Sequence, residues 1–247
     1  MKRKKMRALL RLIFFAVGSL FYIFIFLLKS VFGGSDFDWR LRMRMQWFKI
    51  LSRALGVQIE TFGELPQEAG LLVCNHRSYF DPIIVLTQLL ALPVGKSEIR
   101  KWPIIGIGAE LSGVVFVERK SKEGRAKARK KIVEILRQGY FVINYPEGTT
   151  HTQSQTIDFK PGMFKDASVE GFPVYPVALD YQSDEDAWVG EDTFLRHFFA
   201  CFGKRKTNIR ISYGTAIFSE NPTELMQQSK DWIDHELLKI RKGWHFS

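Results

Sequence analysis

Asn75, His76 and Asp81 stand in NHRSYFDP, at the end of the apolar run LLVC, with the aspartate five residues after the histidine. An imidazole with one ring nitrogen on a carboxylate has its tautomer fixed, and its other nitrogen is free to take a proton. His76 with Asp81 therefore has the equipment of a general base acting on a hydroxyl. A histidine where a strand turns a corner is also an ordinary structural residue, and this motif alone leaves both readings open. Cys74 offers a third, a Cys–His nucleophile, but as the last residue of an apolar strand its thiol is expected to be buried and inert.

Other familiar chemistries lack their residues. The chain has no G-x-S-x-G elbow and no P-loop, and GIGAEL at 106–111 carries two of the three glycines of a dinucleotide fingerprint without a clear preceding strand. The five histidines are scattered, with no pair at metal-ligand spacing, so no metal is expected.

To act as a base, His76 has to be delivered to the rim of a sheet. Short apolar stretches predict strands at 57–62, 71–74, 114–117, 140–144, 174–179 and 208–213, with helices over 82–91 and 121–138 between them. A C-terminal helix begins with Asn221 as its cap, Pro222 in first position and Glu224 in third. This alternation implies an α/β fold, a sheet with helices packed on it, and the end of LLVC then lies at the carboxyl edge where open sheets bind ligands. In the basic stretch from Arg119 onward, Ile132, Ile135 and Leu136 are expected to pack on the sheet, and its Lys/Arg residues to be a solvated face or a contact for acidic phosphates or an acidic protein.

The charge is divided unequally along the 247 residues. Residues 1–53 hold 12 Lys/Arg against 2 Asp/Glu, and residues 54–247 hold 24 of each, so the whole excess of +10 lies in the first segment. That excludes a domain whose basic surface binds nucleic acid and favours a leader attracted to anionic lipid. The leader runs from MKRKKMRALLR into 17 uncharged residues, 12–28. As a helix this stretch measures roughly 25 Å, a little under a ~30 Å hydrocarbon core, a gap that Arg11 and Lys29 can close by snorkelling. It is longer than a signal-peptide core and lacks an A-x-A cleavage pattern, so we read a retained membrane anchor with an apolar helix about 8–30. After a GGSD turn, residues 39–55 read as a basic amphipathic helix with Trp39, Met43, Trp47, Ile50, Leu51 and Ala54 on one stripe and Arg42, Lys49 and Arg53 on another face. That stripe suits either the headgroup region or packing on the next domain, and 39–45 also alternates like a strand. Residues 1–55 thus form an anchoring segment and 56–247 a catalytic domain, with two distant cysteines pointing to a reducing compartment.

Three further stretches follow NHRSYFDP in order: GVVFVER at 113–119, YPEGTTH at 145–151 with FKPGMF at 159–164, and FPVYPVAL at 172–179. Together they resemble the 1-acylglycerol-3-phosphate acyltransferase family of the glycerolipid acyltransferases, over roughly residues 57–215. The resemblance implies that His76 is the general base and Asp81 its orienting partner. It implies that Asn75, Lys96, Arg119, Glu147, Gly148, Thr149 and Lys160 contribute to substrate binding, and that no cofactor is used beyond an acyl-CoA or acyl-carrier-protein co-substrate. The implied reaction is acyl transfer to a lysolipid hydroxyl, foremost 1-acylglycerol-3-phosphate giving phosphatidic acid, with another lysophospholipid or lyso-ornithine lipid as alternative acceptors. A non-catalytic lipid-binding protein of the same fold is the alternative from another class. The expected location is a bacterial inner membrane, with the catalytic domain on the cytoplasmic side. One position departs from the family pattern: phosphatidic-acid-forming members commonly read E-G-T-R, and here Thr150 stands in the arginine's place. A hydroxyl does not replace a bidentate guanidinium fork.

Overall fold

The computed structural model describes residues 2–34 and 36–244. Two helices, α1 (Lys2–Val31) and α2 (Phe37–Leu55), precede strand β1 (Val57–Phe62). Then follow β2 (Leu71–Cys74), α3 (Asp81–Leu86), β3 (Ala91–Lys96), α4 (Ile105–Leu111), β4 (Val115–Val117), α5 (Lys122–Arg137), β5 (Phe141–Asn144), α6 (Gly162–Glu170), β6 (Val174–Tyr181), α7 (Phe194–Cys201), β7 (Thr207–Tyr213) and α8 (Pro222–Trp244). The strands form one sheet in the order β1-β7-β6-β2-β5-β3-β4. All neighbours are parallel except β6 and β7, so the sheet is mixed. The central strands β2 and β6 are buried along their whole length, as strands covered on both faces must be. One face carries α3 and α7 with the leader helices over them, and the other carries α5, α6 and α8.

All six predicted strands form, with ends shifted by at most two residues. The predicted helix over 82–91 is corrected: α3 stops at Leu86, and Ala91–Lys96 is an additional strand between β5 and β4. Pro93 hides it, because proline in a run reads as a strand breaker. Helices α4, α6 and α7, of 7, 9 and 8 residues, are too short for a periodic pattern to identify them. Helix α8 begins as predicted, with Asn221 Oδ1 accepting from the Thr223 N–H at 3.0 Å, and Ala128, Ile132, Ile135 and Leu136 are the buried residues of α5. Of the predicted GGSD turn, Ser35 lies outside the described residues, as do the last three residues of the 56–247 domain.

Helix α1 starts at Lys2, well before residue 8, because its basic first turns continue the same helix. It is antiparallel to α2: Phe26 packs on Trp39, Phe14 on Trp47, and Arg11 Nε donates to the Ala54 carbonyl. Residues 39–45 are helical, and the expected stripe is corrected. The buried side of α2 is Leu41, Arg44, Leu51, Ser52 and Leu55, while Trp39 and Trp47 face α1 and Ile50 is half exposed. The cations expected to snorkel act within the protein. Arg11 donates to the carbonyls of Phe202 and Lys204 at 2.9 and 2.7 Å, and Lys29 sits 4.0 Å over the Trp39 ring. Arg44 reaches from α2 into the domain and donates to the carbonyls of Ser112 (2.5 Å) and Ala91 (2.6 Å); burial holds its pKa down to about 10, still charged at neutral pH.

The close approach of α1 and α2 requires Gly18, where a β-carbon would stand 2.1 Å from the Trp47 ring. We therefore expect Gly18→Leu to drive the helices apart and destabilise the protein by about 1–3 kcal/mol, the usual cost of overpacking. A thermal melt in detergent checks this; an unchanged melting temperature would mean that the pair is not packed as described.

Candidate active site

The turn after β2 is organised by one carboxylate. Asp81, wholly buried, opens α3 beside Pro82, and its Oδ2 accepts three bonds: from the backbone N–H groups of Arg77 (2.6 Å) and Ser78 (2.8 Å) and from His76 Nδ1 (2.8 Å). The Tyr181 hydroxyl at the end of β6 donates to Oδ1 at 2.8 Å. Burial and the adjacent Asp81 push the Tyr181 pKa well above its ordinary value, so it stays a donor. An ionised Asp81 can only accept, so Nδ1 of His76 carries the proton and Nε2 is left unprotonated. The imidazole stacks on the Tyr145 ring, centroids 4.2 Å apart, and lines a cavity of about 360 Å³. Its geometry is that of a base with one nitrogen held and the other presented.

A second carboxylate ties the loop after β5 to the same turn. Glu147 Oε2 accepts the His76 backbone N–H at 2.6 Å, and Oε1 accepts from the Ile157 N–H at 3.2 Å and from His151 Nε2 at 2.7 Å. Glu147 is buried and faces the protein; its neighbours Gly148, Thr149 and Thr150 line the cavity instead. Gly148 sits at φ +72°, a conformation that side-chain-bearing residues rarely adopt, and Lys160 Nζ occupies the place of its missing side chain. Arg119 Nη1 donates to the Gly148 carbonyl at 2.5 Å.

The expected residues thus divide into groups. His76, Lys96, Arg119, Gly148 and Thr149 line the cavity, with Lys96 on its exposed margin. Lys160 is exposed beside Gly148. Asn75 is buried with its amide committed to β6, donating to the Leu179 carbonyl and accepting its N–H, both at 2.8 Å. Thr150 donates to the Trp188 carbonyl, and the Trp188 ring packs edge-on against Tyr79 and Trp102, which also line the cavity. Among the described residues, no three His, Cys, Asp or Glu side chains gather as metal ligands would.

Three residues at the site had no role in the sequence reading. Tyr181 is reached only across the sheet. Arg77, 1% exposed, donates to His151 Nδ1 (3.0 Å) and pairs with Asp180 (3.3 Å). Arg77 and His151 both lie inside quoted stretches, and a charged residue between two apolar runs was the one signal available for Arg77. Most of the remaining wall is apolar, built by Phe15, Ile23, Phe48 and Leu51 of the leader helices and by Ile83, Leu86, Ile105 and Phe198 of the domain, with Ser19, Arg44, Glu98 and Ser112 also lining the cavity.

A family model described as Acyltransferase matches residues 56–180. A lyso-ornithine lipid O-acyltransferase of Pseudomonas aeruginosa is 30% identical over 202 residues, 78% of each chain. A 1-acyl-sn-glycerol-3-phosphate acyltransferase of Neisseria meningitidis is 28% identical over 159 residues, 64% of this chain and 62% of that one. Among solved structures, the 1-acyl-sn-glycerophosphate acyltransferase of Thermotoga maritima superposes with a TM-score of 0.72 over 97% of this chain and 98% of its own; at 19% identity this likeness is one of fold.

Cys74 is fully buried, and burial, with the nearby Asp81 and Glu147 charges, raises its thiol pKa well above the ordinary value; burial does the same to Cys201. The reactive thiolate is therefore scarce below the raised pKa. A thiol-reactive dye at pH 8 is expected to label neither cysteine in the folded protein and both after denaturation. Rapid labelling of Cys74 in the native state would revive the cysteine nucleophile.

Proposed function

We propose, from the premise that this chain belongs to the acyltransferase family, that it transfers an acyl group from a thioester to the free hydroxyl of a lysolipid at a membrane surface. The observation that carries this reading is His76, held at Nδ1 by Asp81 and facing an apolar cavity walled by the leader helices. The acyl chain lies in that cavity, with the thioester carbonyl at His76. As the acceptor oxygen attacks the carbonyl carbon, its proton passes to His76 Nε2 and Asp81 stabilises the imidazolium. Collapse breaks the C–S bond, and the thiolate leaves readily, since a free thiol has a pKa of ~8.5. The imidazolium then gives its proton to the departing thiolate, leaving a free thiol and a neutral His76. No covalent enzyme intermediate is needed, and the donor is an acyl thioester of coenzyme A or of a carrier protein.

Arg119 and Lys160 beside Gly148, with Lys96 on the exposed margin of the same cavity next to Glu98, leave an excess of positive charge suited to an anionic headgroup, which supports 1-acylglycerol-3-phosphate as acceptor and phosphatidic acid as product. A second reading, an acceptor with a larger ammonium-bearing headgroup such as lyso-ornithine lipid, is favoured by the other margin. There Thr150 is tied to Trp188 in the place of an arginine, and Tyr79, Trp102 and Trp188 present aromatic rings. His76→Ala is expected to lower turnover by about 10²–10⁴-fold, the contribution of a positioned base, and Asp81→Asn to lower it strongly through the wrong tautomer. Free-thiol release from acyl-CoA with a panel of lysolipids measures both effects and the acceptor. Turnover within tenfold of wild type in His76→Ala sinks the mechanism. Thr150→Arg raises use of the phosphate acceptor and lowers use of the ornithine acceptor under the second reading, and is nearly neutral under the first.

The leader supports an anchor lying in the plane of the membrane. Helix α1 is long and apolar enough to cross a bilayer, but α2 lies antiparallel along it and carries the exposed Arg42 and Arg53. A crossing α1 would draw Arg42, level with the middle of the apolar stretch, into hydrocarbon at a few kcal/mol by insertion scales, while Arg53 lies level with Arg11 at its edge. An in-plane α1 buries only its outer face of Leu10, Val17, Phe21, Phe24 and Leu28, on the cytoplasmic side of a bacterial inner membrane in our reading. Single cysteines at Lys4 and Gly34, in a background lacking the native two, are then both labelled in inside-out vesicles and neither in spheroplasts. Labelling of the two ends from opposite sides would establish a span.

A further inference from the structure

We propose that His151 is a positioning residue for acyl transfer: it holds Glu147, and through it the backbone of His76, in place, and is itself held in one tautomer by Arg77. The inference rests on His76 being the base. His151 lies between two fixed partners. On one side its Nδ1 receives an N–H from Arg77 Nη1 at 3.0 Å and one from the Gln153 backbone at 3.2 Å. A nitrogen facing two donors must be the unprotonated one. The proton therefore sits on Nε2, which donates to Glu147 Oε1 at 2.7 Å, and the ring is neutral. Glu147 turns its other oxygen to the His76 N–H at 2.6 Å.

The surroundings keep this chain from rearranging. The Glu147 side chain is wholly buried and that of His151 only 12% exposed. Arg77 also donates to the His151 carbonyl (3.1 Å), and the His151 N–H donates to the His76 carbonyl (3.3 Å), so the two loops are joined by side chain and backbone together. Behind them Asp180 pairs with both Arg77 and Arg241 of α8, the latter at 2.7 Å. Asp81 fixes the imidazole of His76 from one side. His151, through Glu147, fixes its main chain from the other, and both are required to aim Nε2.

The test compares three substitutions in the full-length protein. Glutamine places an oxygen and an NH₂ about where the ring places its two nitrogens, so His151→Gln can accept from Arg77 and donate to Glu147. Leucine can do neither, and His151→Asn is too short to span both partners. Thiol release from acyl-CoA gives kcat and the KM of each substrate, and selective ¹⁵N-histidine labelling reports the His76 amide, assigned by its absence in His76→Ala. We expect His151→Leu and His151→Asn to lower kcat about tenfold or more, as misplacement of a reacting group does, with both KM values within about threefold of wild type. The His76 amide proton should move upfield as its bond to Glu147 lengthens, while the amides of His197 and His235 stay in place. His151→Gln should restore both rate and resonance. If His151→Leu does not fold, the asparagine and glutamine pair decides alone. A loss of kcat with an unmoved His76 amide, an active asparagine variant, or a glutamine variant as impaired as the asparagine one would each overturn the proposal. An active His76→Ala would instead overturn the mechanism on which it rests.

Discussion

A buried carboxylate that needs every lone-pair direction occupied determines the geometry from which this protein works. Asp81 is shut off from water, and an ion in that position is tolerated only where hydrogen bonds replace its hydration. Its four donors are the N–H groups of Arg77 and Ser78, the imidazole of His76 and the hydroxyl of Tyr181. Satisfying Asp81 therefore folds the turn after β2, orients the histidine and ties β2 to β6. A charge-assisted hydrogen bond contributes about 1.5–3 kcal/mol, so the turn is among the most strongly determined parts of the domain. The same bonds that make the burial of Asp81 tolerable hold the His76 imidazole in one orientation.

Glu147 repeats this arrangement from the neighbouring strand. The loops after β2 and β5 each bring a buried carboxylate, and both carboxylates accept from the segment 76–78. The tight turn at Gly148 then presents Gly148, Thr149 and Thr150 to the cavity while Glu147 points inward. Sheet topology makes the convergence possible, because β2 and β5 are parallel neighbours and their carboxyl ends lie side by side.

The leader helices complete the cavity beside these loops. They form a wall of the cavity: Phe15 and Ile23 of α1 and Phe48 and Leu51 of α2 line it, while the opposite side of α1 is exposed and apolar. Three arginines fasten the leader, Arg7 and Arg11 to carbonyls around the end of α7 and Arg44 to carbonyls at β3 and α4.

The sequence by itself determined what depends on local pattern: the six strands from apolar runs, the α8 cap from Asn221-Pro222, the apolar side of α5, the basic and apolar leader, and the His76–Asp81 pair from its spacing. It did not yield β3, whose Pro93 contradicts its strand, nor the side of α2 that is buried, since Trp39 and Trp47 turned to α1 and left Arg44 for the core. Only the tertiary structure decided which polar groups face the cavity and which face the protein. Asn75 and Glu147 look alike on paper to Lys96 and Arg119, yet the first two spend their hydrogen bonds on Leu179 and His76. Arg77, His151 and Tyr181 join the site through partners 74, 4 and 100 residues away. Spacing along a chain fixes neighbours within a strand or a helical turn. The partner of a buried charge is set by which strands lie side by side, and that depends on the packing of the whole sheet.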